Sequence, residues 1–365
     1  MDVGGSDIKL AVSLNGRLLY TEEYDWNPSA STTAEGILAP ILGLVETARG
    51  QIERAGGTLD AVGISFPDIV IGDEIVGGET PKTKGLRENP ALEYESEFAR
   101  LRGLKDAVLR LCSPGASVHL ANDGSIAAFT AAVELAASGE DEQIRGGVLA
   151  HSLGTDLGTG WLKADGTIPP LPLEMYDLLL DLGDFPSASL PPEDLRSTCN
   201  ENSGMPGVRR YLGQAAAYRL AWAQDPELLD GFACLSDGLL TIPTAPEDLR
   251  KSCLAHLMEL ATSGKPEAEE VFHQIGRNLA VVAREMAWLF GETPQVRFLF
   301  GRFVKSARCF ALLGEGFEQG TDRCRLAAAD DTLANSPLMR QLAARKDVTV
   351  AQFGQAIGAI YYSLI

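Results

Sequence analysis

The first residues of the chain form a pattern that can bind phosphate. An acidic residue is followed by two glycines and a hydroxyl, at Asp2, Gly4, Gly5 and Ser6. The next apolar stretch runs into Asn15-Gly16, a preferred two-residue hairpin turn. Glycines let backbone N–H groups approach a phosphate, and the aspartate could hold magnesium directly or through water. The alternative is a tight turn with no ligand.

A second chemical pattern is Asn122-Asp123-Gly124, which follows a predicted strand at 117–121 and precedes an alanine-rich helix at 125–137. A carboxylate at the end of a strand could accept a proton from a substrate hydroxyl. The same three residues could also be only a turn and a helix N-cap. Asp123 is therefore a candidate general base, with capping as the alternative.

A second glycine-rich hairpin is predicted near the middle of the chain. Strands at 147–151 and 161–163 enclose a Gly/Thr turn at 153–160, which contains Gly154, Thr155 and Gly158. Two hairpins of one design indicate two similar α/β domains that face each other across a cleft.

The other predicted elements alternate between helices and strands, which is typical of an α/β protein. The predicted helices span 33–55, 93–111, 208–223, 246–263, 267–290 and 347–362, and further strands span 59–66 and 295–300. Residues 73–90 are polar and are predicted to form a loop.

The composition limits the classes of partner. The chain of 365 residues carries 31 basic and 50 acidic side chains, a formal charge of −19, which disfavours nucleic acid and anionic membrane surfaces. No apolar stretch approaches the length of a membrane span, and we expect no signal peptide. The six cysteines and four histidines are scattered, which fits free thiols in a reducing cytoplasm and indicates no metal site.

Five motifs, in order, resemble those of the ROK family of sugar kinases, within the actin-like ATPase superfamily. They cover nearly the whole chain and are Asp2–Lys9, Gly63–Pro67, Asn122–Ala128, Leu153–Gly160 and Ile275–Ala280, followed by the strand to Gly301. The resemblance implies a two-domain actin-like (ribonuclease H-like) α/β fold with a cleft between the domains.

The resemblance also implies roles for matching residues. Asp123 corresponds to the base that accepts the proton of a sugar hydroxyl, and Asn122 and Glu174 correspond to ligands of the sugar. The two hairpins and Lys9 correspond to the ATP-phosphate site, although Lys9 could be only an exposed strand lysine.

The chain departs from the family pattern at several positions. Asp177 stands where the family has a zinc-binding histidine and the cysteine-rich loop is missing, so no structural zinc is expected. Asp68 and Lys82 replace a usual glycine and a frequent asparagine, so Asp68, Lys82 and Asp177 together could reshape the sugar pocket. Asp156 replaces a glycine in the second hairpin. Arg302 follows Gly301 in the adenine-side turn, where it could stack on adenine or fill the nucleotide site.

These expectations combine into one hypothesis. A smaller domain spans 1–121 with 350–365, and a larger domain spans 122–349. The activity is ATP- and magnesium-dependent phosphorylation of a hexose or hexose derivative by a cytoplasmic enzyme, for which a homodimer is an expectation from the family. The alternatives are a non-catalytic sugar sensor of the same fold and a kinase of a non-sugar polyol or nucleoside.

Overall fold

The chain folds into alternating strands and helices, as its sequence pattern predicts. The computed structural model describes residues 1–5, 7–77, 83–139, 144, 146–154, 157–171, 173, 175, 180, 211–236, 239–243, 246–291, 294, 296–321, 324–329 and 333–365. Within these residues no helix is both long enough and apolar enough to cross a membrane.

The strands and helices are numbered in chain order. The strands are β1 (Asp2–Val3), β2 (Asp7–Leu14), β3 (Arg17–Asp25), β4 (Ala61–Phe66), β5 (Val70–Ile71), β6 (Glu74–Ile75), β7 (Ser117–Asn122), β8 (Val148–Leu153), β9 (Leu157–Leu162), β10 (Cys234–Ser236), β11 (Leu239–Thr241), β12 (Val296–Gly301) and β13 (Arg325–Ala328). The helices are α1 (Ala34–Arg54), α2 (Lys84–Arg87), α3 (Tyr94–Arg102), α4 (Leu104–Leu109), α5 (Asp123–Ser138), α6 (Gln214–Gln224), α7 (Arg250–Thr262), α8 (Pro266–Phe290), α9 (Ala307–Gly320), α10 (Pro337–Ala343) and α11 (Val350–Tyr362).

The chain divides into two compact units. Unit 1 contains Met1–Ala150, Gly160–Pro172 and Asp330–Ile365, and unit 2 contains His151–Thr159 and Leu173–Ala329. This division differs from the expected one, in which the larger domain spans 122–349, because 122–150, 160–172 and 330–349 fall in unit 1. The physical reason is that α5 packs on α11, where a Cβ on Gly358 would lie 1.7 Å from Thr130 Oγ1.

Unit 1 is built on a five-stranded sheet with the order β3-β2-β1-β4-β7. β2 runs antiparallel to β1 and β3, whereas β1, β4 and β7 run parallel to one another. Asn15 and Gly16 have φ values of 49° and 76°, so the β2–β3 turn has the positive φ values that an Asn-Gly hairpin turn requires. The predicted hairpin is therefore confirmed.

Helices cover the sheet of unit 1 through apolar contacts. The apolar positions predicted for the first helix are buried in α1, and Thr33 caps this helix by accepting a hydrogen bond from the Gly36 amide at 3.2 Å. On α11, Ala359 contacts β4 so closely that a Cβ on Gly63 would lie 1.7 Å from the Ala359 carbonyl oxygen.

Two of the predicted elements in unit 1 are wrong in detail. The helix expected over 93–111 is broken into α3 and α4 at Gly103, whose amide donates to the Arg100 carbonyl at 3.1 Å and ends the first helix. The loop expected over 73–90 contains β6 and α2. β6 forms because it pairs with β5, a strand too short for a periodic pattern to reveal.

Unit 2 contains most of a four-stranded sheet with the order β13-β12-β8-β9, in which β12 and β13 are parallel. The long helix α8 packs against α9 with nearly direct backbone contact. A Cβ on Gly276 would lie 2.1 Å from the Leu313 carbonyl oxygen, and one on Gly316 would lie 2.0 Å from the His273 carbonyl oxygen. Three elements had no predicted counterpart in the sequence: α9, α10 and β13.

Candidate functional site

Three aspartates lie at or just beyond the carboxyl ends of parallel strands in unit 1. Asp2 is in β1, Asp68 follows β4, and Asp123 follows β7. The strand register places Asp2 opposite Ser65, and Ser65 opposite Ala121, which immediately precedes Asn122. Because the carboxyl ends of parallel strands meet at one edge, the topology brings the candidate base and the candidate magnesium ligand to the same edge.

Asp2 is a buried carboxylate, and only 7% of its surface is exposed. The Ser65 hydroxyl donates a hydrogen bond to Asp2 Oδ1 at 2.8 Å. Burial raises the pKa of Asp2, although the nearby Lys9 ammonium and the Ser65 hydrogen bond oppose the rise. Asp2 is therefore a buried carboxylate whose charged form is favoured by a neighbouring cation.

Lys9 supplies that cation, and it is not an exposed strand lysine. Its ammonium forms an ion pair with Asp7, and register places Lys9 opposite Asp2. Burial alone would lower the pKa of Lys9, but the carboxylates of Asp2 and Asp7 raise it above its ordinary value. Asp7 was not among the candidate residues predicted from the sequence. Its period-two spacing from Lys9 could have revealed that both side chains lie on one face of β2.

The first glycine turn is closed by hydrogen bonds. The Gly4 amide donates to the Asp7 carbonyl at 2.8 Å, and Trp26 Nε1 donates to the Gly4 carbonyl at 2.8 Å. A Cβ on Gly4 would lie 2.9 Å from the Asp7 carbonyl oxygen, so this close approach requires glycine. Gly5 is exposed at the tip of the turn.

Asn122 and Asp123 form the start of α5. Asn122 Oδ1 accepts a hydrogen bond from the Gly124 amide at 2.9 Å, and Asn122 Nδ2 donates to the Asp68 carbonyl at 2.9 Å. Asp123 Oδ1 also accepts from the Gly124 amide, at 2.8 Å. Asn122 is thus the N-cap, so the predicted capping pattern and the candidate base occupy adjacent residues.

Asp68 lies next to Asn122 and is 3% exposed. Its Oδ1 accepts a hydrogen bond from the Ile69 amide at 2.8 Å. A Cβ on Gly77 would lie 2.4 Å from Asp68 Oδ1, so Gly77 makes room for this carboxylate. The structure therefore places the backbone of Asp68 beside the side chain of Asn122.

The second glycine-rich hairpin and the turn that follows β12 meet within unit 2. Gly301 ends β12 with a φ of 104°, and a Cβ there would lie 2.3 Å from the Leu153 carbonyl oxygen. The next residue, Gly154, accepts a hydrogen bond from the Gln214 amide at 2.9 Å through its carbonyl. Gly158 lies in β9, and Arg302 begins a short 3-10 helix after Gly301. Gly301 cannot be replaced without moving the hairpin.

Several candidate residues lie outside the described residues. They are Ser6, Thr155, Glu174 and Asp177, together with the departures Lys82 and Asp156. Among the residues that the structure describes, no group of three or more His, Cys, Asp or Glu side chains could hold a metal ion.

The comparisons with known proteins bear on the fold. No protein-family model matches the chain, and no curated protein matches it. The crystal structure of a ROK family glucokinase from Streptomyces griseus, in complex with glucose and AMPPNP, has a TM-score of 0.59 and 19% identity, over 100% of this chain and 97% of that one. The ROK hexokinase from Thermus thermophilus has a TM-score of 0.56 and 18% identity, over 100% of this chain and 96% of that one.

A third solved structure is a regulator. It is a ROK family transcriptional regulator, described as a homologue of the E. coli MLC protein, with a TM-score of 0.58 and 14% identity, over 99% of this chain and 81% of that one. The chain thus has the α/β fold of the ROK kinases, an actin-like ATPase fold, and the resemblance drawn from the motifs is confirmed at the level of the fold.

Proposed function

We propose that this protein transfers the γ-phosphoryl group of ATP to a hydroxyl group of a hexose or hexose derivative, with Asp123 as the general base. The observation that carries the proposal is the placement of Asp123 next to Asn122, at the edge of the sheet that also holds Asp2. The similar glucokinase was solved with glucose and an ATP analogue, which makes these two ligands the first to test.

In this reaction the substrate oxygen attacks the γ-phosphorus, the bond from that phosphorus to the bridging oxygen breaks, and ADP leaves. Asp123 accepts the hydroxyl proton as the new bond forms. Asn122 is held by two hydrogen bonds that use one Nδ2 hydrogen and one lone pair of Oδ1. One more hydrogen and one more lone pair remain in this amide for a sugar hydroxyl.

Asp68, Glu174 and Asp177 complete the proposed sugar pocket. The backbone carbonyl of Asp68 accepts a hydrogen bond from Asn122, which places residue 68 beside the proposed sugar ligand. A carboxylate beside the sugar favours a substrate that offers hydrogen-bond donors at that position. We therefore propose a substrate other than unmodified glucose, and equal activity on glucose and every other hexose would contradict this part.

The residues at the first hairpin fit a magnesium ion held mainly by phosphate and water. Mg²⁺ typically takes one or two carboxylates in addition to substrate phosphates, and Asp2 and Asp7 are two carboxylates beside one lysine. When bound, the ion neutralises charge on the transferring phosphate. Asp2 would hold it, and Ser65 orients Asp2 for this task.

The phosphates of ATP would contact the backbone of the two glycine turns. Gly4, Gly5 and Ser6 contribute the first turn, and Gly154, Thr155 and Gly158 contribute the second. Among the described residues, no atom lies within 4 Å of a Cβ placed on Gly154, which supports a close approach of phosphate to its backbone. Gly301 and Arg302 would flank adenine, on which the guanidinium of Arg302 could stack.

A second candidate function is a non-catalytic sugar sensor. It is favoured by the solved regulator of the same fold and by the ion pair of Lys9 with Asp7, which could keep the ammonium from phosphate. A kinase of a non-sugar polyol or nucleoside is the third candidate, and a substrate panel would identify it. A cytoplasmic location and a homodimer remain predictions; the described cysteines, which are free thiols, are compatible with a reducing compartment.

The experiment that tests the proposal is thermal-shift binding of ATP-Mg²⁺ and a panel of hexoses, followed by turnover of the sugar that binds. A ligand that binds the native state raises the melting temperature. We expect both ligands to raise it, and Asp123→Asn to abolish turnover while the shifts remain. Glu74→Gln, an exposed change in the same unit, is the matched control. A sugar shift without a nucleotide shift would favour the sensor.

A further inference from the structure

The outer edge of β7 is covered by a short hairpin. β7 is the last strand of the five-stranded sheet and has β4 as its neighbour on one side only. On its other side no described strand of this sheet pairs with β7, so its N–H and C=O groups there need hydrogen-bond partners from outside the sheet. The covering element is the hairpin of β5 and β6, in which Val70 pairs with Ile75 and Ile71 pairs with Glu74.

This hairpin contacts β7 through the side chain of Asp73. Asp73 Oδ1 accepts a hydrogen bond from the Leu120 amide at 3.0 Å. Its Oδ2 lies 2.6 Å from Lys105 Nζ and 3.2 Å from His119 Nδ1. Oδ1 therefore binds the backbone of β7, while Oδ2 contacts the ammonium of Lys105 on α4 and the ring of His119 on β7.

The backbone of Asp73 indicates that this side chain is needed. Gly72 and Asp73 have φ values of 59° and 68°, and positive φ is uncommon for residues other than glycine. Aspartate tolerates this conformation better than most residues, but glycine would adopt it with less strain. Aspartate at this position therefore costs some conformational free energy relative to glycine. The hydrogen bond that its side chain accepts from the Leu120 amide is a physical reason for aspartate to occur there.

The start of the same segment is anchored at the end of β7. The Asp68 carbonyl accepts the hydrogen bond from Asn122 Nδ2 at 2.9 Å, and β5 begins two residues later. Residues 68–73 therefore run beside β7 with one attachment at Asn122 and another at Leu120. Asp123, the proposed base, directly follows Asn122, the attachment at the end of β7, and lies three residues after Leu120.

We propose that Asp73 is a positioning residue, which acts through Leu120 to fix the end of β7 and hence the location of Asp123 and Asn122. The inference rests on the proposed function, because it assigns Asp73 a role in that same site. Asp73 does not touch substrate in this account. Removing its hydrogen bond lets the strand end shift, and a misplacement of about 1 Å can cost on the order of a hundredfold in rate.

The test compares two substitutions of Asp73. Asp73→Gly removes the side chain and suits the positive φ, so it breaks the contact without adding backbone strain. Asp73→Asn keeps an oxygen that can accept from the Leu120 amide, but it removes the charge that faces Lys105. Glu74→Gln, on the same hairpin and exposed, is the matched control.

Two measurements are made on the full chain: kcat and KM with the sugar found by thermal shift, and amide hydrogen exchange at Leu120. We expect Asp73→Gly to lower kcat by about tenfold or more with KM for ATP unchanged, and to speed exchange at Leu120. Asp73→Asn should restore most of both properties. A merely structural role would lower stability without this split between kcat and KM.

The inference is overturned if Asp73→Gly leaves kcat at the wild-type value, or if exchange at Leu120 is unchanged. It is also overturned if Asp73→Asn loses as much kcat as Asp73→Gly while both remain folded. Failure of the proposed function has a different signature, because Asp123→Asn would then retain full turnover or no sugar would be phosphorylated at all. In either case, unchanged exchange at Leu120 in Asp73→Gly still rejects the positioning contact.

Discussion

Arg297 Nη1 donates a hydrogen bond to His151 Nε2 at 3.1 Å, and both side chains are fully buried in unit 2. Because the guanidinium can only donate, Nε2 must accept, and the ring proton must lie on Nδ1, which is 3.1 Å from Thr159 Oγ1. Burial and the charge of Arg297 hold the pKa of His151 well below its ordinary value of 6.5. The ring therefore stays neutral in the folded protein.

This pair makes stability depend on pH. A group whose pKa is lowered by folding contributes stability above its unfolded pKa, and that stability is lost as the pH falls. We expect the free energy of unfolding to decrease below about pH 6.5, by up to about 1.4 kcal/mol per pH unit for one proton. Urea denaturation of wild type and His151→Gln between pH 7.5 and 5.5 measures this contribution of His151 to the free energy of unfolding. Parallel pH profiles for the two proteins would contradict it.

The ion pair of Lys9 with Asp7 should matter for stability. Lys9→Met leaves two buried carboxylates, Asp2 and Asp7, without their cation, and removing one partner of a buried pair typically costs about 3 kcal/mol or more. Chemical denaturation measures the loss. In the double variant with Asp7→Asn, part of the stability should return, because one uncompensated charge is gone. Additive losses would mean that the two side chains are not coupled.

Replacing glycine with alanine should have opposite effects on stability at two positions, one at the contact of β4 with α11 and one on α1. Gly63→Ala places a Cβ 1.7 Å from the Ala359 carbonyl oxygen, so we expect a loss of about 3 kcal/mol or more. Gly43→Ala, in α1, meets nothing within 4 Å and should stabilise by about 0.5–1 kcal/mol, because alanine favours helix. Melting temperatures that fall for both variants would show that the close contact is not the cause.

The contacts of Asp73 predict a second pH dependence of the free energy of unfolding, at acidic pH. Burial alone would raise the pKa of Asp73, but its hydrogen bonds to Lys105 and the Leu120 amide lower it below the ordinary value of 3.8. The ammonium of Lys105 and the ring of His119 face Asp73. Tyr362, whose own pKa is raised to about 12 by burial and by Asp73, is close by.

A lowered carboxyl pKa contributes stability above the unfolded pKa, and this contribution is lost as the pH falls. We therefore expect wild type to be more stable than Asp73→Asn at pH 7, with the difference shrinking below about pH 4. Thermal unfolding of both proteins at pH 7, 5 and 3.5 measures it. A difference that grows on acidification would show that the carboxylate is not stabilised by these contacts.

The sequence predicted the parts of the fold that have a strong local signal. The periodic apolar residues of α1 and the Asn15-Gly16 turn fix their own structure, because helix burial and positive φ are encoded within a few residues. The candidate site was predicted where chemistry and local structure coincide, as at Asn122 and Asp123, although the catalytic role itself stays a prediction.

The rest depends on contacts between distant parts of the chain. The partners of Asp73 lie on β7 and α4, and no local pattern links them to a two-residue strand. The division into two units could likewise not be predicted from the sequence, because it depends on how closely Gly358 approaches Thr130. The pairing of Lys9 with Asp7 is local, but the sequence could not show that β2 would bury it.

The position of α11 on β4 and β2 determines the order in which the chain can finish folding during synthesis. β1 gains its parallel neighbour only after β4 has been made, and unit 1 gains α11 only when residues 350–362 have emerged. Unit 2 ends at Ala329 and can be complete before that point. On the ribosome, unit 1 therefore begins first and is completed last. Until α11 has emerged, part of the apolar surface of its sheet is uncovered, and chaperones are suited to protect such a state.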